Sequence, residues 1–243
     1  MRKTQAQVDY RLLTEFKRLF EGKQYKHRSS TQGDFVAMHL YEDLITIARS
    51  PKLTASVARY DHVLNVQNTR RGVVARRGDG TFGEIIPGEP PIVDPGYKVA
   101  RGPIATVEIG VEMKVLLKAM IKQIDRVIND LRNQVIQFRR GGGTPICIGI
   151  VGINQAQSVV GYEGERAIAT TGKGGYLHPY QEAAKAESRL RAESTLGLDE
   201  LIILRFKATN VEPYPFEWVN YNETRLDYAA ALARISARYQ QRF

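Results

Sequence analysis

The feature that most constrains the fold is the run 145–153, in which almost every side chain is apolar. A β-strand of this composition is covered on both faces, as inner strands of parallel sheets are. Residues 115–138 precede it and place apolar side chains at helical spacing. Before that helix, residues 104–114 alternate between apolar and polar side chains, as a strand with two different faces does. Together these segments predict an α/β protein with a central mixed β-sheet flanked by helices.

Further segments extend this framework in both directions along the chain. Apolar spacing and turn residues locate them, whereas residues 51–70 are ambiguous and residues 154–178 read as a long loop or an irregular hairpin. The predicted elements are helices at 7–20, 34–50, 179–194 and 222–240, a β-hairpin at 71–87 and a strand at 201–207.

These elements predict the domain organisation. We expect an N-terminal helix and basic arm at 1–33, followed by one α/β domain at 34–243. Its core is expected at about 34–154, with C-terminal helices and a strand at 155–243.

The charge balance favours an anionic partner. The chain has 35 Lys and Arg against 26 Asp and Glu, a formal net charge of +9. Such a surplus suits nucleic acid, because each neutralised phosphate releases condensed counterions. The alternative is that the charge serves only solubility.

The same composition excludes several classes of protein. A single cysteine, Cys147, rules out an internal disulfide and a cysteine-rich zinc site. No run reaches about 18 apolar residues, and the polar start lacks an apolar signal segment, so we expect no membrane span and no secretory signal. These features predict a cytoplasmic protein.

The strand at 104–114 carries the sharpest chemical signal. Residues two apart on a strand point the same way, so Glu112 and Lys114 project side by side. Asp94 lies at the end of a short apolar segment earlier in the chain. If this segment is a neighbouring strand, it brings Asp94 beside Glu112. Two such carboxylates bind a hard divalent cation such as Mg²⁺, which activates water and neutralises phosphate charge. The alternative is that Glu112 and Lys114 form the solvated face of a half-exposed strand.

Asp94, Glu112 and Lys114, followed by a long helix and a buried strand, resemble the PD-(D/E)XK nuclease superfamily, which includes many restriction endonucleases. The resemblance covers about half the chain and implies a restriction-endonuclease-like core. That core consists of a helix, three antiparallel strands, a second helix and a fourth strand. In the family the aspartate and the glutamate bind the metal and the lysine assists the attacking water. The implied metal ligands are therefore Asp94 and Glu112, the implied helper of the water is Lys114, and the implied cofactor is Mg²⁺ or Mn²⁺.

Three further acidic residues are alternatives or additions to this set. Family members often add a glutamate from the first helix, for which Glu42 is the candidate. Glu108 is expected to share a face with Glu112 and is a candidate ligand. Because Val93 and not proline precedes Asp94, Asp79 remains a substitute for it.

Basic and amide side chains elsewhere are candidates for contacts with DNA. Arginine reads guanine, and asparagine and glutamine read adenine, while basic residues also contact phosphates. The candidates are Arg76, Arg77, Arg139, Arg140, Asn154, Gln155 and Lys173.

The sequence therefore predicts a divalent-metal-dependent DNA endonuclease of the type II restriction kind. The first alternative is a non-catalytic nucleic-acid-binding protein, or a phage or mobile-element accessory protein with a nuclease-like fold. A structural or assembly protein with incidental charge is a third hypothesis. Cutting of both strands favours a homodimer, because a two-fold protein matches two-fold DNA. A restriction-type enzyme also implies a cognate methyltransferase in the same system.

Overall fold

The computed structural model describes residues 9–25, 30–65, 79–163, 166–193 and 197–243. Within these ranges the helices are α1 (Arg11–Arg18), α2 (Ser30–Ile47), α3 (Pro51–Ala58), α4 (Met120–Arg139), α5 (Pro179–Glu193) and α6 (Tyr221–Arg242). The strands are β1 (His62–Asn65), β2 (Gly80–Glu84), β3 (Arg101–Gly102), β4 (Ile109–Leu116), β5 (Ile146–Asn154), β6 (Val160–Glu163), β7 (Arg166–Ala169), β8 (Glu200–Ala208) and β9 (Phe216–Trp218).

Most of the described strands form one mixed sheet in the order β3-β1-β2-β4-β5-β8-β9. The strands β4, β5 and β8 run parallel, whereas β2 is antiparallel to both β1 and β4. Parallel neighbours need a crossover, and α4 and α5 supply the two crossovers on either side of β5. Every residue of β5 is buried, which confirms the prediction of a central strand covered on both faces.

Helices cover both faces of this sheet, so the predicted α/β class is confirmed. Ile124 of α4 and Ala186 of α5 pack on one face together with Leu116. On the other face α1, α2, α3 and α6 share a larger core that includes Phe16 and Val111. The apolar side chains of α1 belong to this core, so the N-terminal helix packs against the α/β domain.

The two faces of β4 meet different helices. Val111 and Met113 belong to the core under α2 and α6. Gly110 lies against the ring of a phenylalanine in α4, so closely that a Cβ atom there would come within 2.4 Å of it. Successive side chains on a strand alternate between faces, so Glu112 and Lys114 lie on the α4 side.

Some elements differ from the sequence prediction. Residues 51–70 contain α3 and β1, and residues 154–178 contain the β6–β7 hairpin. The described part of the predicted hairpin at 71–87 is β2, which pairs with β1, while the predicted first strand lies outside the described residues. The α6 helix begins slightly earlier than expected, because the side chain of Asn220 caps it by accepting a hydrogen bond from the backbone of Glu223.

Candidate active site

Glu112 and Lys114 lie side by side in the middle of β4, as the strand alternation predicts. The Nζ atom of Lys114 donates a hydrogen bond of 2.5 Å to Oε1 of Glu112. The side chain of Glu112 is 10% exposed and that of Lys114 is 27% exposed. The pair is therefore sheltered, yet it can be reached from solvent.

Asp79 completes this group from the neighbouring strand. It directly precedes β2, and the pairing of Gly80 with Val111 brings it beside Glu112, one residue beyond the end of the antiparallel ladder. Residues opposite each other in such a ladder have Cβ atoms about 5 Å apart. Oδ2 of Asp79 accepts a hydrogen bond of 2.7 Å from the backbone of Met113, and the backbone N–H of Asp79 donates to the Glu112 carboxylate.

The electrostatics of the group show an excess of negative charge. Burial, and then the negative charge of Asp79, raise the pKa of Glu112 from 4.5 to about 7, although Lys114 opposes this. Burial lowers the pKa of Lys114, but Glu112, Asp79 and Asp130 outweigh it, and the pKa of Lys114 is raised. Two carboxylates therefore compete for one ammonium group, which is an arrangement that a bound cation would relieve.

The shape of the sheet gives this group its access. β2 pairs with β4 only from Ile109 to Val111, whereas β5 pairs along the whole of β4. Glu112 is thus the first residue beyond the last β2–β4 pair. Within the part of the chain that the structure describes, no strand continues on that side of Lys114.

Asp94 does not lie beside Glu112, which corrects the first choice of aspartate. Its carboxylate accepts hydrogen bonds from Nε and Nη2 of Arg101, and these bonds lower the pKa of Asp94. Arg101 belongs to β3, which is three strand positions from β4, or about 14 Å at ordinary strand spacing. The turn-rich segment 86–100 therefore leads to the edge of the sheet and away from β4. Asp79, the substitute, is the aspartate that the structure brings to Glu112.

Glu42 and Glu108 also lie elsewhere. The buried carboxylate of Glu42 accepts hydrogen bonds of 2.9–3.0 Å from the backbone N–H groups of Lys98 and Val99, so it fastens that loop to α2. Glu108 precedes the first residue of β4, so the alternation that governs Glu112 does not extend to it. Its carboxylate contacts α6 on the opposite face of the sheet.

The amide candidates for reading bases have structural roles. The side chain of Asn154 is 0% exposed and donates to the carbonyls of Leu117 and Ala208. Its Oδ1 accepts hydrogen bonds from the backbone of Ala156 and Ala208. The amide is saturated by the backbone, which corrects the prediction that Asn154 contacts DNA. Gln155 is partly buried, and its backbone N–H is bonded to β8.

The basic candidates fall at two ends of the domain. Arg139 and Arg140 are exposed near the start of β5, where Arg139 donates to the carbonyl of Gly197. The length of β5, about 26 Å, separates them from Gln155. Lys173 is exposed on the loop that follows β7. Arg76 and Arg77 lie outside the described residues.

Two lysines that sequence reasoning missed lie between β4 and this loop. Lys118 follows β4 and lies over Gly161, where an added Cβ atom would come within 2.5 Å of its Nζ. Lys122 at the start of α4 donates to the carbonyl of Gly175, two residues after Lys173. Lys118 and Lys122 thus add positive charge to the segments that follow β4. The only sequence signal for these two lysines was their position shortly after the strand that carries Glu112 and Lys114.

The comparisons with known proteins do not add to this geometry. No protein-family model, curated protein or solved structure matches the chain. Of the helices in the described ranges, none has the length and apolar character needed to cross a membrane.

Proposed function

We propose that this protein is a divalent-metal-dependent endonuclease that hydrolyses phosphodiester bonds in DNA and resembles type II restriction enzymes. One observation carries the proposal: Asp79 and Glu112 are each one residue beyond the Gly80–Val111 pair of adjacent strands, with Lys114 bonded to Glu112. This is the set of side chains that the PD-(D/E)XK resemblance requires, with Asp79 in place of Asp94.

The donor atoms suit Mg²⁺ or Mn²⁺, since these hard cations prefer carboxylate oxygens and retain several waters. Asp79 and Glu112 would hold the ion, while the 10% exposure of the Glu112 side chain leaves a side open to solvent and substrate. The bound cation would lower the pKa of water and neutralise charge on the scissile phosphate.

Lys114 contributes positive charge at the point where negative charge develops. Its raised pKa keeps the ammonium group protonated at neutral pH, so it acts as a hydrogen-bond donor and not as a base. From its place beside Glu112 it can orient the attacking water and stabilise the phosphorane-like transition state. Lys118 and Lys122 extend this positive character and would contact phosphates that flank the scissile bond.

The order of elements supports the same proposal. Apart from α3 and the two-residue strand β3, the chain runs from α2 through β1, β2 and β4 to α4 and β5. β2 is antiparallel to both β1 and β4, and β5 is parallel to β4. This order supports the succession of helix, three antiparallel strands, helix and fourth strand that the resemblance implies.

A matched pair of aspartate variants tests the proposal. Purified wild type is incubated with supercoiled and linear DNA in Mg²⁺, in Mn²⁺ and in EDTA, beside Asp79→Asn and Asp94→Asn. We expect metal-dependent cleavage that falls about 100-fold or more in Asp79→Asn, because a lost metal ligand removes several kcal/mol of transition-state stabilisation. Asp94→Asn should cleave like the wild type.

A second pair controls for loss of charge and of folding. Glu112→Gln should abolish cleavage, whereas Glu217→Gln, the same change on the exposed β9 strand, should not. Retained DNA binding by the inactive variants would show that they are folded. Binding of DNA without cleavage by the wild type in either metal would replace the proposal with the non-catalytic nucleic-acid-binding function.

A further inference from the structure

A second group of metal-ligating side chains lies on the other face of the sheet. His62 and Glu84 are directly paired across β1 and β2, and Glu108 immediately precedes β4. Each offers one donor atom, and these atoms all lie within 4.8 Å of one another. Three adjacent strands therefore converge on one point under α3 and α6.

The negative charge of the two carboxylates in this group is poorly balanced. Glu108 is 8% exposed, and its partners are Nε2 of His62 at 3.0 Å and the hydroxyl of Tyr239. In the described ranges no lysine or arginine forms an ion pair with Glu84 or Glu108. A buried carboxylate is stabilised by a cationic partner, which a bound metal ion would supply to Glu108 in addition to these two hydrogen bonds.

The imidazole ring also has an unsatisfied atom. Nδ1 of His62 is buried and has no hydrogen-bond partner among the described residues. A buried polar atom without a partner is uncommon in folded proteins. Nε2 is the ring nitrogen that faces Glu108, so an ion bound there would take Nε2 and leave the ring proton on Nδ1.

The group opens into a cavity and is therefore accessible to an ion. His62, Glu84 and Glu108 line a cavity of about 640 Å³ between α3, α6 and the sheet, together with the basic residues Lys52, Arg59 and Arg242. Three protein ligands leave a coordination position that faces this space. The three basic residues favour water or a small anion in that position.

We propose that His62, Glu84 and Glu108 form a zinc site. Zn²⁺ accepts a mixture of imidazole nitrogen and carboxylate oxygen, and three protein ligands with one open position is a common arrangement for it. Mg²⁺ is served by oxygen ligands alone, so the imidazole selects against it. The zinc site lies on the α6 side of the sheet, whereas Glu112 lies on the α4 side, so the inference does not depend on the proposed nuclease activity.

The experiment uses full-length protein stripped of metal with a chelator and titrated calorimetrically with Zn²⁺ in the presence of excess Mg²⁺. A Glu112→Gln background removes the candidate nuclease site from the titration. In this background we expect about one equivalent of Zn²⁺ to bind, and addition of Glu84→Gln should weaken binding at least about tenfold. Addition of Glu217→Gln, which removes an exposed carboxylate at the opposite edge of the sheet, should leave binding unchanged.

Glu84 is exposed, so its substitution is not expected to disturb the fold, which circular dichroism checks. Substitution of Co²⁺ for Zn²⁺ gives an independent readout, since four-coordinate Co²⁺ absorbs strongly in the visible region. That absorption should be lost with Glu84→Gln and with Glu108→Gln. Failure of the Glu112→Gln protein to bind Zn²⁺, or undiminished binding after Glu84→Gln, would overturn the assignment whether or not the wild type cleaves DNA.

Discussion

Replacement of the candidate metal ligand Glu112 by glutamine is expected to make the metal-free protein more stable. Burial and the charge of Asp79 raise the pKa of Glu112 from 4.5 to about 7. Each unit of pKa corresponds to about 1.4 kcal/mol, so the ionised carboxylate costs about 3 kcal/mol of folding stability above neutral pH. The hydrogen bond from Lys114 offsets only part of the cost of burial, and its effect is already contained in that pKa.

The dependence on pH identifies this effect. Between pH 4.5 and about 7 the folded chain keeps a proton on Glu112 that the unfolded chain has released, so stability falls as the pH rises through that window. Glutamine does not titrate. The difference in unfolding free energy between Glu112→Gln and wild type should therefore grow from near zero at about pH 4 to about 3 kcal/mol at about pH 8.

Urea denaturation of both proteins in EDTA across this pH range measures the difference. The comparison cancels other titrating groups, such as Asp43, whose pKa burial raises to about 6. Mg²⁺ should nearly cancel the difference at about pH 8, because only the wild type gains the stabilisation of a bound ion, about 2.7 kcal/mol at a hundredfold excess over Kd. A difference that is constant with pH would refute the assignment of a buried carboxylate pair at Asp79 and Glu112.

Three further substitutions test other parts of the structure. Asn154→Ala should destabilise the fold by about 3 kcal/mol or more in urea denaturation, since it leaves several buried backbone groups unsatisfied; an unchanged unfolding free energy would contradict this role. Gly110→Ala should cost about 1–3 kcal/mol, because its Cβ atom would lie 2.4 Å from the ring of Phe138, and Phe138→Leu should restore part of that loss in the double variant. Asp94→Asn should cost less than about 1 kcal/mol by thermal denaturation, since its ion pair with Arg101 is partly exposed, and a larger loss would show that the pair anchors β3.

The sequence pattern predicted the secondary structure around the site and the relative positions of Glu112 and Lys114. The period of two along β4 placed Glu112 and Lys114 side by side, and the structure bonds them to each other. The apolar run became β5, and the amphipathic segment became α4. These features depend on backbone geometry within one element, which the sequence pattern reports directly.

Strand pairing determines which aspartate lies beside Glu112. Asp94 and Asp79 were both available, and nothing in the local sequence determines which strand lies next to β4. The choice follows from the antiparallel pairing of Gly80 with Val111, which brings Asp79 to Glu112, and from the contact with Arg101, which holds Asp94 at the edge of the sheet. Such pairing depends on contacts between segments far apart in the chain.

The sequence alone determined the α/β class, the buried central strand and the placement of Glu112 beside Lys114, because each depends on the periodicity of a single element. Only the tertiary structure decided that Glu108 faces the opposite side of the sheet, since β4 begins after it and the alternation cannot be extended backwards. The tertiary structure also buries Asn154, whose side chain hydrogen-bonds β5 to the neighbouring strand β8. It also brought together His62 of β1, Glu84 of β2 and Glu108, which directly precedes β4. No spacing in the sequence reveals this group, because the proximity arises from the packing of the sheet under α3 and α6.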